Sequence, residues 1–284
     1  MTSLQLWYLG ARPKTLPAAL APVIVASSLS FFDNAFDVIT FLLAGIVALA
    51  LQIGVNYAND YSDGIKGTDD VRVGPLRLVA SKSKSATAVK TAAMIIFLVA
   101  AVAGLLLTLH SGVWWFIPLG ILAIISAWFY TGGNNPYGYK GLGEISVFVW
   151  FGLVAVLATY FAYTKTLTFT SLVVAIGAGA FACALLVINN LRDRAHDAEV
   201  QKRTLAVRLG DSKTRFLYVA LVWIGFTSSA IVSIIYVADR SAPAFAGIGF
   251  LASVLAHRPG RSVLSGSTGK DLITVLQQTS KTQM

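Results

Sequence analysis

Charge is scarce in this chain, and that scarcity decides what class of molecule it is. Only 12% of its 284 residues are Asp, Glu, Lys or Arg, while 56% are hydrophobic; a soluble domain carries roughly a quarter charged residues. An ordinary soluble enzyme is excluded, and an integral membrane protein is expected. Cysteine is nearly absent as well: Cys183 stands alone in an apolar run, so there is no intramolecular disulfide and no cysteine-based metal site, which leaves helix packing as its role. A cleavable leader is not expected either, because MTSLQLWYLGARPKTLP has no basic stretch ahead of a short apolar core. The first span is expected to stay in the mature protein.

The formal charge of +9 would suit a nucleic-acid partner only if the basic residues formed a surface on a folded soluble domain. They lie between hydrophobic runs instead, so the partner expected is the lipid bilayer and no nucleic acid.

Long apolar runs are what the chain does have. Crossing about 30 Å of hydrocarbon takes roughly 17 to 25 helical residues, and eight runs qualify, near 16–32, 38–58, 88–109, 112–130, 143–163, 168–190, 215–237 and 242–256. The expected fold is therefore all-α, a polytopic transmembrane helical bundle in a single domain over 1–284. Pro17 and Pro22 predict a kinked or partly re-entrant first span. Short loops rich in Lys and Arg stay in the cytoplasm, and with eight spans all of the 22 basic residues except Lys165 and Arg240 fall on one side. A cell-membrane location with a cytoplasmic N-terminus follows.

The same side holds nearly all the acids, Asp33, Asp37 and Asp239 excepted, although orientation requires only the positive residues. Two dense stretches account for this. NYANDYSDGIKGTDD, from Asn56 to Asp70, follows the second span, and Asn56, Asp60 and Asp63 are spaced i, i+4, i+7 on one helix face. NNLRDRAHDAEVQKRTLAVRLGD, from Asn189 to Asp211, follows the sixth, with Asn189, Asp193 and Asp197 at i, i+4, i+8. Each stretch alone reads either as a solvated helix end rich in turn formers or as a face of oxygen ligands for Mg²⁺. Two stretches of one design on one membrane face favour a shared site. Carboxylates bind a diphosphate only through divalent cations, and Lys66, Arg72, Lys202, Arg203 and Arg208 stand near enough in sequence to take its outer oxygens.

At these residues the chain resembles the UbiA superfamily of intramembrane prenyltransferases, whose aspartate-rich motifs follow the second and sixth helices. Asn59, Asp60 and Asp63 match the first motif, NDxxDxxxD, whose last position is Gly67 here, with Asp69 and Asp70 just beyond; Asp193 and Asp197 match DxxxD in full. Five segments at 10–23, 59–70, 72–81, 129–144 and 189–210 occur in the family's order. GARP, GPLRLV and PYGYKGLGE are similar to the branch that prenylates 1,4-dihydroxy-2-naphthoate.

The resemblance implies a ring of helices and Mg²⁺-assisted ionisation of a polyprenyl diphosphate. The aromatic ring then attacks the allylic cation, and loss of CO₂ gives demethylmenaquinone. It implies Asp60, Asp63, Asp193 and Asp197 as catalytic metal ligands with Asn56, Asn59 and Asn189 beside them. Arg12, Tyr130, Tyr137 and Tyr139 are candidate contacts for the naphthoate. The bland readings are a positive-inside anchor for Arg12 and an interfacial aromatic belt for the tyrosines. Glu144, at the start of the fifth span, reads as a general base or as an acid stabilised by the helix dipole, with the dipole reading preferred. His196 is expected to be a spacer, and His110 and His257 lie away from any metal.

The family has nine helices, and GRSVLSGSTGKDLITVLQQTSKTQM at the end contains no run long enough for the ninth, so an open wall in the ring is expected. Two other readings remain. A secondary transporter or channel would place acids near the midplane, yet no ionisable residue interrupts the middle of a span. Another UbiA-type enzyme, acting on hydroxybenzoate, haem or chlorophyll precursors, would share the aspartates and differ in the acceptor pocket.

Overall fold

The computed structural model describes residues 1–68, 76–238 and 253–283, and every regular element among them is a helix. In chain order these are α1 Ser3–Gly10, α2 Leu16–Phe32, α3 Val38–Lys66, α4 Ala86–Ser111, α5 Phe116–Phe129, α6 Gly143–Thr164, α7 Phe169–Glu199, α8 Leu205–Ala238, α9 Ser253–Leu264 and α10 Gly269–Gln283. The sequence writes their ends. Asp37 and Ser85 accept the backbone N–H three residues on, capping α3 and α4, and Thr168 forms a capping box with Ser171 at the start of α7.

Six segments are long and apolar enough to span: Ser3–Phe32, Val38–Lys66, Ala86–Ser111, Gly143–Thr164, Phe169–Glu199 and Leu205–Tyr236. This is a multi-pass membrane architecture. Phe116–Phe129 is apolar but has 14 residues, about 21 Å at 1.5 Å each, short of the full hydrocarbon. The eighth expected run lies largely outside the described residues. The re-entrant turn expected at Pro17 and Pro22 is not found within Leu16–Phe32. Pro17 falls in the first turn, where its missing N–H has no helical partner anyway, and α2 runs unbroken through Pro22.

Helices α3 and α4 pack as one pair and α7 and α8 as another, with α2 seated against α3, α6 and α7 between them. Leu98, Leu105 and Leu109 of α4, like Ile121 and Leu122 of α5, are exposed, as lipid-facing residues are and soluble surfaces rarely are. Helix α10, in the stretch expected to hold no span, is not among the spanning helices. Helix α10 lies against α7 and touches α2, and Val263, Leu272 and Val275 complete a core with Val187, Ile188 and Tyr218.

Candidate functional site

Helix α3 has 29 residues and α7 has 31, about 43 and 46 Å, so both outreach ~30 Å of hydrocarbon. Their C-terminal turns carry the four aspartates. All are buried: Asp60 and Asp63 at 1% exposure, Asp193 at 8% and Asp197 at 6%. Buried carboxylates require partners, and the partners define the site.

Asp60 accepts the backbone N–H groups of Leu78 at 2.8 Å and Val79 at 3.1 Å, and the Arg12 guanidinium adds a favourable charge. Asp63 is the hub. Its Oδ1 accepts the Tyr139 hydroxyl at 2.6 Å, while Arg77 Nη2 and Lys202 Nζ lie 3.6 and 3.5 Å from its Oδ2. Asp193 is held by a fork from its neighbour, Arg192 Nε and Nη2 each at 2.7 Å, and the same Nη2 reaches Asn189 Oδ1 at 2.8 Å. The Asp197 carbonyl receives the N–H of Lys202 at 2.7 Å, which turns the chain back toward α3.

Three contacts bring the two aspartate stretches together. Lys202 reaches Asp63; His196 Nε2 lies 2.9 Å from the Thr68 carbonyl oxygen; and the Tyr139 ring lies beneath both Lys66 and Lys202, with their Nζ atoms 5.0 and 4.7 Å from its centroid. Lys66 also donates to the Thr131 carbonyl at 2.7 Å. His196, expected to be a spacer, is thus one of the cross-links. Helix α3 ends at Gly67 with φ 70°. The family's last motif position is therefore a left-handed cap in this chain, which suits glycine and disfavours aspartate.

The asparagines are engaged in holding the frame. Asn56 donates to the Ala11 carbonyl at 2.9 Å and to Thr15 Oγ1 at 3.1 Å, tying α3 to the N-terminal segment. Asn59 Oδ1 accepts the Thr131 hydroxyl at 2.7 Å. Of the expected acceptor contacts, Tyr139 is in the centre, whereas Tyr137 donates to the Ser126 carbonyl at 2.8 Å and pairs with Ser146 Oγ at 2.9 Å. Tyr130 stacks edge-on against Tyr137, and burial, with the nearby charges of Glu144, Asp63 and Asp197, pushes its phenol up. Arg12 is half-buried beside Asp60, in a left-handed backbone conformation with φ 53°. Arg203 and Arg208 are exposed, and Arg208 lies over Gly141. Arg72, Asp69 and Asp70 lie outside the described residues.

Sequence reasoning missed Arg77, Arg192 and Thr131. Arg192 carried a signal, being next to Asp193 and three residues from Asn189; Arg77 and Thr131 come from loops whose path local patterns do not encode. Glu144 stands in the first turn of α6, as the dipole reading requires, but is also buried against α7, where Asn190 Nδ2 donates to its Oε1 at 2.9 Å.

Among the described residues, no three His, Cys, Asp or Glu side chains converge on a point fit for a metal ion. The donor chemistry fits Mg²⁺ all the same. That ion keeps several waters and needs one or two carboxylates when phosphates supply the rest, and each helix end offers two buried aspartates.

The UbiA prenyltransferase family model matches residues 16–263. The chain is 47% identical over 279 residues to the 1,4-dihydroxy-2-naphthoate octaprenyltransferase of Mycobacterium tuberculosis, covering 98% of this chain and 93% of that one. It is 42% identical over 225 residues to the enzyme of the same name from Escherichia coli, covering 77% and 73%. A UbiA homologue from Archaeoglobus fulgidus, solved bound to GPP and Mg²⁺, has the same fold, with TM-score 0.71, 12% identity and 98% of each chain covered. Buried aspartates at the ends of two overlong helices, the spanning architecture and these matches agree: the chain belongs to the UbiA prenyltransferase family.

Proposed function

We propose that the protein transfers a polyprenyl group from polyprenyl diphosphate to 1,4-dihydroxy-2-naphthoate, with release of diphosphate and CO₂, to give the quinol form of demethylmenaquinone. The observation that carries this reading is the Asp63 hub, where a buried carboxylate, Arg77, Lys202, Lys66 and Tyr139 meet at the junction of both aspartate stretches. The naphthoate octaprenyltransferase names of relatives over nearly the full chain support the acceptor.

Negative charge builds on the leaving diphosphate as the allylic C–O bond breaks, and prearranged cations stabilise it most where water is excluded. Lys66, Lys202 and Arg77 take its oxygens in this reading, and the exposed Arg203 and Arg208 add positive charge along the approach. Asp60, Asp63, Asp193 and Asp197 are the proposed carboxylates that would hold Mg²⁺, which would supply positive charge to the diphosphate. Asn56, Asn59 and Asn189 fix the helix ends that present them. The Tyr139 ring faces the forming allylic cation, with Tyr130 and Arg12 toward the acceptor. The proposed working face is cytoplasmic, where the basic loops lie, and residues 1–284 act as one domain.

The test is an assay of purified protein with Mg²⁺, a polyprenyl diphosphate and a panel of aromatic acceptors, following prenylated product and CO₂. Asp60→Ala and Asp193→Ala are each expected to abolish turnover. Prenylation of hydroxybenzoate but not dihydroxynaphthoate would overturn the acceptor, and full activity after exhaustive EDTA treatment would overturn the metal.

A further inference from the structure

Glu144 is 7% exposed, and its two carboxyl oxygens differ. Oε1 accepts from Asn190 Nδ2 at 2.9 Å, while Oε2 is buried and takes no hydrogen bond. An ionised carboxylate has about four lone-pair sites, and leaving a buried one unmet is costly. A helix-dipole acid at a solvated N-terminus would have no need of such an arrangement. The turn is also clamped in place, since Cys183 Sγ lies 3.0 Å from the Glu144 carbonyl oxygen, and α6 passes into a π-helical stretch, Phe148–Val154, directly afterwards. Such stretches concentrate at functional sites.

The carboxyl also stands next to the aspartate machinery. Asn190 lies between Asn189 and Asp193 on α7. The Tyr130 hydroxyl lies against Gly143, and the phenol is within electrostatic reach of Glu144, Asp63 and Asp197. The titratable groups facing Glu144 are Tyr130 from the loop before α6 and Cys183 from α7.

We propose that Glu144 is the base that takes the proton of a ring hydroxyl on the aromatic acceptor, with Oε2 as the receiving atom. This rests on the prenyl-transfer reading above. The hydroxyl proton moves to Oε2, and the oxygen's electron pair becomes a carbonyl as the ortho ring carbon bearing the carboxylate bonds to the allylic carbon. Diphosphate leaves with the pair of the broken C–O bond. The product of that step is a β-keto carboxylate, whose C–CO₂ bond breaks with its electron pair returning to the ring. The naphtholate oxygen then recovers the proton from Glu144, so the residue finishes as it began.

The test compares wild type, Glu144→Gln and Glu144→Asp as full-length protein in nanodiscs with Mg²⁺, a polyprenyl diphosphate and dihydroxynaphthoate. Glu144→Gln keeps the shape and the acceptor for Asn190 but loses the base, so kcat is expected to fall roughly 100-fold, within the usual range for general base catalysis. The KM for polyprenyl diphosphate should stay within about threefold, acceptor-free release of pyrophosphate should persist, and the acid limb of the pH profile should vanish. Glu144→Asp should recover part of the rate. Should Glu144→Gln fail to fold, Glu144→Asp decides, since a displaced base lowers kcat at unchanged KM. An active wild type with an equally active Glu144→Gln, or a loss confined to KM or accompanied by loss of pyrophosphate release, overturns the assignment. A wild type inert toward dihydroxynaphthoate overturns the reaction and the assignment together.

Discussion

Tyr139 donates its hydroxyl to Asp63 at 2.6 Å while its ring lies beneath Lys202, whose Nζ is 4.7 Å from the ring centroid. One side chain thus serves a carboxylate with its edge and a cation with its face. Tyr139→Phe separates the two, keeping the face and deleting the hydrogen bond. A hydrogen bond to a charged group contributes about 1.5–3 kcal/mol, so kcat/KM for the prenyl diphosphate is expected to fall roughly 10- to 100-fold. Tyr139→Ala should fall further, as steady-state prenyl transfer would read.

The basic residues around the site are not equivalent. Lys202 is half-buried with its ammonium 3.5 Å from Asp63, whereas Arg203 and Arg208 are exposed. Lys202→Ala should cost more than tenfold in kcat/KM. Arg203→Ala and Arg208→Ala should each change it less than about threefold at physiological salt, with the effect growing as salt is lowered, because exposed charges act by steering. A salt series on the three variants separates the roles.

Helix α3 and the loop carrying Leu78 and Val79 approach so closely that a Cβ on Gly64 would stand 2.5 Å from Val79 Cβ and Cγ1. That approach delivers the two N–H groups to Asp60. Gly64→Ala should therefore lower stability by about 1–3 kcal/mol, the usual cost of overpacking, and reduce activity with it. Gly120→Ala, in open space on α5, is the control and should leave the unfolding temperature unchanged or slightly raised.

At the far end of the bundle, Asp37 caps α3 and meets His110 at 2.7 Å. Burial would push its carboxyl up, but hydrogen bonds from Thr40 and His110 outweigh this and lower it to about 2 from 3.8. A depressed carboxyl contributes stability above its unfolded value that is lost as pH falls through the folded one. The unfolding temperature of wild type should drop more steeply than that of Asp37→Asn between pH 4 and about 2. Parallel melting curves in detergent would check this.

The periodic part of the site was open to reading. Asp60 and Asp63, like Asp193 and Asp197, share helix faces because 3.6-residue periodicity is a local property, and Gly67 was visible as a departure before its left-handed conformation explained it. What pairs with each carboxylate was not. Leu78 and Val79 reach Asp60 through main-chain atoms whose identity the side chains do not disclose. Arg77 reaches Asp63 because of a loop path, and the burial of Glu144 comes from α7 packing over its turn. Six of the eight expected runs lie in helices long and apolar enough to cross, while α5 is shorter than its apolar run and the eighth lies largely outside the described residues.

The overhang of α3 and α7 gives the proposed site a depth. With 29 and 31 residues both helices exceed the hydrocarbon thickness, so on the prenyl-transfer reading the diphosphate would rest by their last turns at the interface with its isoprenoid tail in lipid. The aspartates would then meet the same first isoprene unit whatever follows it.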